Sequence, residues 1–336
     1  EGPVLLGNMR LQGRRTGIVI QGRRQSSLIR QVELLDVVNY GIYVNTSQAI
    51  QMQQVVVRRT QPKLTSFETG RGINLLDSQA AISQVVLEAN TEIGLMLSDN
   101  SRVVAEHLIV RDTAGQHEDG SMAGEFGYGV AALEGASLSL SRALLERNHT
   151  FGVTAFYDGQ IDLHTVVIRD TQLKQADGSQ GGGIQATERA RVSGSQLVLE
   201  DNHFCGVWAS GAEVVLDAQR LAISGMQRDN GTVGAPAVAC QLGAVCRIDE
   251  LESTQPLGVG LLIAGDGTQA SVSNVRIGRT QIEQLPYAFG AAIGLTGQLE
   301  ADLQRLYLDQ NPMLSLLAVE GARFRAQDVH IVGPSQ

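Results

Sequence analysis

The feature that most constrains this chain is an internal period. A small residue followed by an apolar, any and an apolar residue opens one unit after another: GIVI from Gly17, GIYV from Gly41, GINL from Gly72, GLML from Gly94, GVAA from Gly129 and GVTA from Gly152. The series continues with GIQA from Gly183, GVWA from Gly206, APAV from Ala235, GVGL from Gly258, GAAI from Gly290 and SLLA from Ser315, making twelve starts. Polar corners and alternating runs such as AIQMQQVVVR from Ala49 follow, the pattern of strands with one side chain in two facing a core. Units of 22–35 residues built from several short strands cannot bury their apolar side alone and must stack on their neighbours. A propeller blade needs ~40–50 residues and a leucine-rich repeat needs its own leucine frame, so neither fits. The predicted fold is all-β: a parallel β-helix of about twelve coils with three short strands per coil, rising ~4.8 Å each. Each start glycine is expected where a corner needs positive φ or a close backbone approach.

The spacings between starts alternate, short coils of 22–25 residues with long coils of 29–35, and two coils together take a nearly constant 52–57 residues. The repeating unit is a coil pair. The extra residues of the long coils fall just before the next start, at 60–71, 113–128 and 171–182, so these loops are predicted to share one edge of the rod. Asp119-Gly120 and Asp177-Gly178 supply turn chemistry within them.

Several rows repeat along the rod. Short coils close on Asn39, Asn90, Asn148, Asn202, Thr254 and Asn311, and long coils on Thr60, Thr113, Thr171 and Thr280. Asn and Thr at corners bond the backbone of their own turn, a structural role. Two residues earlier the charges alternate, Arg58, Glu88, Arg111, Glu146, Arg169 and Glu200, decaying into Ser224, Glu252, Gly278 and Asp309. Opposite signs on adjacent rungs read as a register device on the outer surface, each exposed pair contributing only ~0.2–1 kcal/mol. Residues before the starts (Tyr40, Ile93, Tyr128, Phe151, Leu257, Phe289, Leu314) form an apolar row that Arg71, Gly182 and Gly234 interrupt. Trp208, the one Trp, matches Thr154 and Gln185 at an outward position and is a weak candidate for ligand contact.

Composition excludes whole classes. A net charge of −9 disfavours nucleic acid and anionic membrane surfaces, and no apolar run approaches the ~20 residues that cross a bilayer. His149 and His203 lie two coils apart, too far to share a metal, and are read as corner residues. His117, Glu118 and Asp119 form the densest polar cluster and the candidate ligand site, although they lack calcium-loop spacing, and no cofactor or metal is expected. Asp112 and Asp170 match in place but face Arg147, which argues against a carboxylate pair for glycan cleavage. Cys240 and Cys246 bracket one corner closely enough for a disulfide, which would place the protein in an oxidising compartment, and Cys205 is read as a buried free thiol. The pattern is already under way at VLLGNMRLQG, so residues 1–336 are expected to be a single domain cut from a longer chain.

The G-[IV]-x-[VA] starts, L-x-x-[NT] closings and recurrent R-D-T followed by D-G-x-x-G-x-G loops resemble right-handed parallel β-helix repeat proteins, and more narrowly the secreted or surface repeat proteins of myxobacteria. The resemblance implies a right-handed coil and an extracellular or outer-membrane location. The expected function is a non-catalytic module, a spacer, adhesin or glycan-binding rod, with a glycan or another surface protein as partner. The alternative is a polysaccharide lyase or glycoside hydrolase of the pectate lyase-like type, with its groove at the long-loop edge near His117 to Tyr128.

Overall fold

The computed structural model describes residues 3–13, 15–62, 69–116, 124–227, 236–281 and 290–333. It is a right-handed parallel β-helix without a helix among those residues. Strands alternate along the chain between two parallel sheets. The first, from Val4–Gln12 to Arg323–Val332, has thirteen long strands among the described residues, and the second, from Ile18–Gln21 to Leu314–Val319, has twelve short ones.

The long strands are two short ones in series. Each carries one left-handed residue near its middle, Gln54 (φ 55), Gln84 (54), His107 (54), Arg142 (51), Thr165 (55) and Gln196 (56) in successive coils. Such φ values are uncommon outside glycine, and a column of them marks a shared bend. The bend keeps alternate side chains inward on both sides: Val103 and Ala105 precede it, Leu108 and Val110 follow it, and all four are buried. Each coil thus has three short strands, as the alternation predicts, around one continuous Val, Leu, Ile and Ala core.

The start glycines are explained by close approach and not by positive φ. A Cβ on Gly72, Gly94, Gly129 or Gly183 would stand 2.6 Å from the carbonyl oxygen of the start glycine on the next coil. Positive φ belongs two residues earlier, to Gly70 (117), Gly127 (95) and Gly181 (116), where each long loop rejoins the rod over Thr91, His149 or His203.

Three predicted starts are out of register. Ile18, Ile42, Ile73, Leu95, Val130, Val153, Ile184 and Val207 pair in sequence as expected, but Val207 then pairs with Val238, Leu261, Ile293 and Leu316 follow, and Ser315 is again in place. The true equivalents are Ala237, Gly260 and Ala292; Gly258 and Gly290 lie two residues early, and Ala235 lies outside the described residues. A two-residue slip returns every side chain to the same face, so alternation cannot detect it. The same slip displaces two members of the closing row, Asn39 and Thr254, whose places belong to Val37 and Pro256, and one of the charge row, where Ser224 pairs with Thr254 and not with Glu252.

The Asn and Thr rows are one device. Asn90 Oδ1 accepts from the backbone N–H of Thr60 on the preceding coil (3.1 Å), and its Nδ2 donates to Val57 O (3.3 Å). Asn148 does the same to Thr113 and Val110 (3.1 and 3.0 Å), Asn202 to Thr171 and Ile168 (3.1 and 3.1 Å), and Asn311 to Thr280 and Ile277 (3.3 and 3.3 Å). All eight corner residues are buried. Each Asn therefore satisfies two backbone groups where the coil below it leaves for its long loop, which corrects the expectation that it bonds its own turn.

Candidate functional site

The charge row pairs as predicted from Arg58 to Arg169 but not at Glu200, and its exposure is not as predicted. Arg58 contacts Glu88 (2.7 Å), Arg111 lies between Glu88 (2.9 Å) and Glu146 (3.7 Å), and Arg169 contacts Glu146 (2.8 Å). Glu200 is in register with Arg169, but no ion pair joins them among the described residues. Glu146 is only 5% exposed, so it is not on the outer surface as predicted: the guanidinium groups of Arg111, Arg147 and Arg169 close over it. Burial pushes its carboxyl up, but the Arg169 hydrogen bond and the charges of Arg147 and Arg169 outweigh this and hold it below the ordinary range. Every member of this network is committed to another, so it braces the rod and leaves nothing to act on a ligand.

At the loop corner the picture is similar. The loops at 113–128 and 171–182 meet there, with Gln175 Oε1 accepting from Gly115 N (2.7 Å) and Gly124 O from Ala176 N (3.1 Å). Asp177 accepts from Ser179 and pairs with Lys174 (2.9 Å), which together draw its carboxyl down to about 2. His149 and His203 donate from Nδ1 to the carbonyls of Leu173 (2.7 Å) and Thr171 (2.8 Å), as corner residues would. Burial lowers the His149 pKa, so the ring is neutral near pH 7. Arg147 pairs with Asp112 (2.8 Å) and Glu146 (3.2 Å), not with Asp170. His117, Glu118 and Asp119 lie outside the described residues.

Beneath this corner lies a polar pair that sequence reasoning missed. Arg71 contacts Glu92 (2.6 Å) and donates to Asn74 Oδ1 (2.9 Å), and the Glu92 side chain is 3% exposed. The one signal was that Arg71 interrupts an otherwise apolar row. Its charges are matched within the cluster. Trp208 faces outward in register with Gln185, as predicted, but is half-buried and packs on Phe204 with ring centroids 5.0 Å apart. It is a structural contact more than a platform.

Uncommitted chemistry lies on the opposite sheet. The outer side of the long strands, before the left-handed bend, forms a groove of about 810 Å³ extending from Arg24 and Gln48 to Val215 and Asp217. Parallel pairing places Gln51, Ala81, Val104, Ser139, Asp162, Ser193 and Asp217 in one row along its floor, each on the next coil. Asp162 accepts a hydrogen bond from Ser193 Oγ (2.8 Å) and meets no cation within ion-pair distance among the described residues. Asp217 pairs with Arg247 on the next coil (3.2 Å). Two rungs separate the two carboxylates, ~9.6 Å along the rod. Alternation marks both aspartates as outward; only the register shows that they share a row. Among the described residues no three His, Cys, Asp or Glu side chains converge to hold a metal.

Cys240 and Cys246 form the predicted disulfide, and Cys205 is free and buried, where desolvation pushes its thiol well up.

No family model matches the chain, and no curated protein matches it in sequence. Solved structures do match in fold. DFA-IIIase from Arthrobacter chlorophenolicus A6 in complex with DFA-III superposes with a TM-score of 0.53 at 9% identity, over 96% of this chain and 88% of that one. The same enzyme in complex with GF2 gives 0.52 at 8% identity, over 97% and 83%. The catalytic unit of a GH87 alpha-1,3-glucanase from Streptomyces thermodiastaticus strain HF3-3 gives 0.42 at 11% identity, over 98% and 64%. At these identities the likeness is one of fold. The expectation of a non-catalytic spacer, adhesin or glycan-binding rod is corrected by the DFA-IIIase matches: the fold that this chain shares over most of its length is that of an enzyme, so the fold is no argument against a catalytic centre.

Proposed function

We propose that the chain is a carbohydrate-active enzyme that cleaves a glycan lying along the groove of the long-strand sheet. The observation that carries this reading is the pair Asp162 and Asp217, two rungs apart on the groove floor with Ser193 between them. A separation of ~9.6 Å leaves room for a water and matches the outer limit of the inverting arrangement, in which one carboxyl protonates the leaving oxygen and the other activates water. The two carboxyls differ in their surroundings, Asp217 facing Arg247 and Asp162 facing the Ser193 hydroxyl with no cation in reach among the described residues, and we assign the base to Asp217 and the acid to Asp162 on that difference. The carbohydrate complexes of the fold-matched DFA-IIIase support the substrate class. The groove lies away from the long-loop edge where sequence placed it.

A location outside the cytoplasm, and kinship with secreted or surface repeat proteins such as those of myxobacteria, belong to the same proposal. The Cys240–Cys246 disulfide favours an oxidising compartment. Reducing-end release from fructans, α- and β-glucans, pectin and alginate tests the activity. Asp162→Asn and Asp217→Asn are each expected to lower turnover at least a thousandfold with unchanged circular dichroism. No release from any of these glycans, or full activity in both variants, would sink the proposal.

A further inference from the structure

The groove has a second property that the catalytic pair does not use. Twelve of the described arginines of this acidic rod are matched: Arg10, Arg58, Arg59, Arg71, Arg111, Arg142, Arg147, Arg169, Arg189, Arg220, Arg247 and Arg276 each contact a carboxylate. Of the described arginines that lack such a contact, Arg24, Arg102 and Arg191 stand together. All three are exposed, all three line the groove, and none meets a carboxylate within ion-pair distance among the described residues. Their placement is regular. Arg102 and Arg191 stand in one row with Ser137 and Gln160 between them, three rungs apart, and Arg24 lies at the corner preceding Ser27, on the coil three rungs before Arg102. The wall therefore presents a guanidinium about every 14 Å.

A chain carrying −9 repels polyanions over most of its surface, and a line of cations without carboxylate partners in this groove is where one could settle. Guanidinium forks take planar carboxylates and sulfates with two hydrogen bonds each. Between them Gln79, Ser137 and Gln160 offer amides and a hydroxyl to sugar hydroxyls, and Val104, 61% exposed on the floor, offers an apolar surface to a ring face. We infer that the groove binds a polyanionic glycan, its carboxylate or sulfate groups meeting Arg24, Arg102 and Arg191 in turn as the chain runs along the rod. This rests on the reading of the groove as a glycan site but not on cleavage within it.

Affinity electrophoresis of the 336-residue chain through gels containing polygalacturonate, chondroitin sulfate, dextran sulfate or neutral dextran tests it. Retardation by at least one polyanion and not by neutral dextran is expected, weakening steeply between 50 and 500 mM salt, roughly as the screening length shortens. Polygalacturonate alone would identify carboxylate as the anion, dextran sulfate alone would identify sulfate. Arg102→Gln with Arg191→Gln should weaken retention about tenfold or more. Arg323→Gln, on the last coil outside this groove, should leave it unchanged. Equal retention by neutral dextran, or no change in the double variant with its fold intact by circular dichroism, would overturn the inference. Polyanion retention without cleavage would leave it standing and remove the catalytic reading; cleavage of a neutral glycan without polyanion retention would do the reverse.

Discussion

Two kinds of loop departure can be compared within this rod. At Thr60, Thr113, Thr171 and Thr280 the chain leaves for a long loop under an asparagine from the next coil, which holds both the departing N–H and a carbonyl three residues earlier. At the corresponding place after Ser224 stands Met226, and the next coil supplies Pro256 in place of the asparagine. Around the first two departures the charge row is paired, and around the third Arg169 and Glu200 still stand in register. Around Met226 it has become Ser224 and Thr254. Yet Leu216, Leu221, Ile248 and Leu251 are as buried there as their counterparts elsewhere. The inward apolar rows are enough to stack the coils, and the polar rows fix where the backbone may leave. The coil that follows the unclamped departure is the one that carries Cys240–Cys246, so a covalent tie stands near the place where hydrogen-bonded clamps are missing.

The largest effect is expected from breaking a clamp. Asn148→Leu leaves the Thr113 N–H and Val110 C=O buried and unpaired, at about 1–3 kcal/mol each less what relaxation recovers, or about 3 kcal/mol together. Denaturant unfolding should show this loss, with faster proteolysis in the loop after Thr113; a change below ~1 kcal/mol would mean that the clamps do not distinguish the two kinds of departure. Next comes the disulfide. Cys240→Ala with Cys246→Ala should cost about 2 kcal/mol on loop-closure grounds for so short a span, and the unreduced native sequence should show one alkylated cysteine by mass spectrometry. Three labelled thiols would remove the covalent half of the comparison.

A somewhat smaller loss, about 1.5 kcal/mol, is expected for Glu146→Gln. That is above an exposed pair, because the carboxyl is covered, and below a fully buried one, because its arginine partners remain partly exposed. The folded carboxyl titrates below its unfolded range, so its contribution is complete above that range and is lost as pH falls through the folded value. The gap between native and Glu146→Gln stability should therefore narrow on acidification below about pH 4.5, the ordinary carboxylate value. A gap that persists at pH 3 would assign the effect to packing. Smallest of all, Glu200→Gln, at the frayed end of the row, should change stability by only about 0.3 kcal/mol.

Some of this was readable in the chain. Small start residues, two-residue alternation and paired coil lengths determined a parallel β-helix, the sidedness of its strands, the common edge of its loops and the order of charges from Arg58 to Arg169. Those are local or additive properties: a side chain points in or out by its place in the alternation, and opposite charges recur at a fixed distance from each start. What the alternation does not encode is register, since a slip of two residues preserves every face. Hence the pattern points to Gly258 and Gly290 as starts, where the strand pairing selects Gly260 and Ala292. The bend at Gln54, His107 and Thr165 was likewise silent, because no glycine announces it. Burial of Glu146 required three arginines to fold over it from three coils. The candidate site was least visible of all. Asp162 and Asp217, like Arg102 and Arg191, lie tens of residues apart, and only stacked coils of unequal length, closed to a common register, bring them onto the floor and wall of one groove.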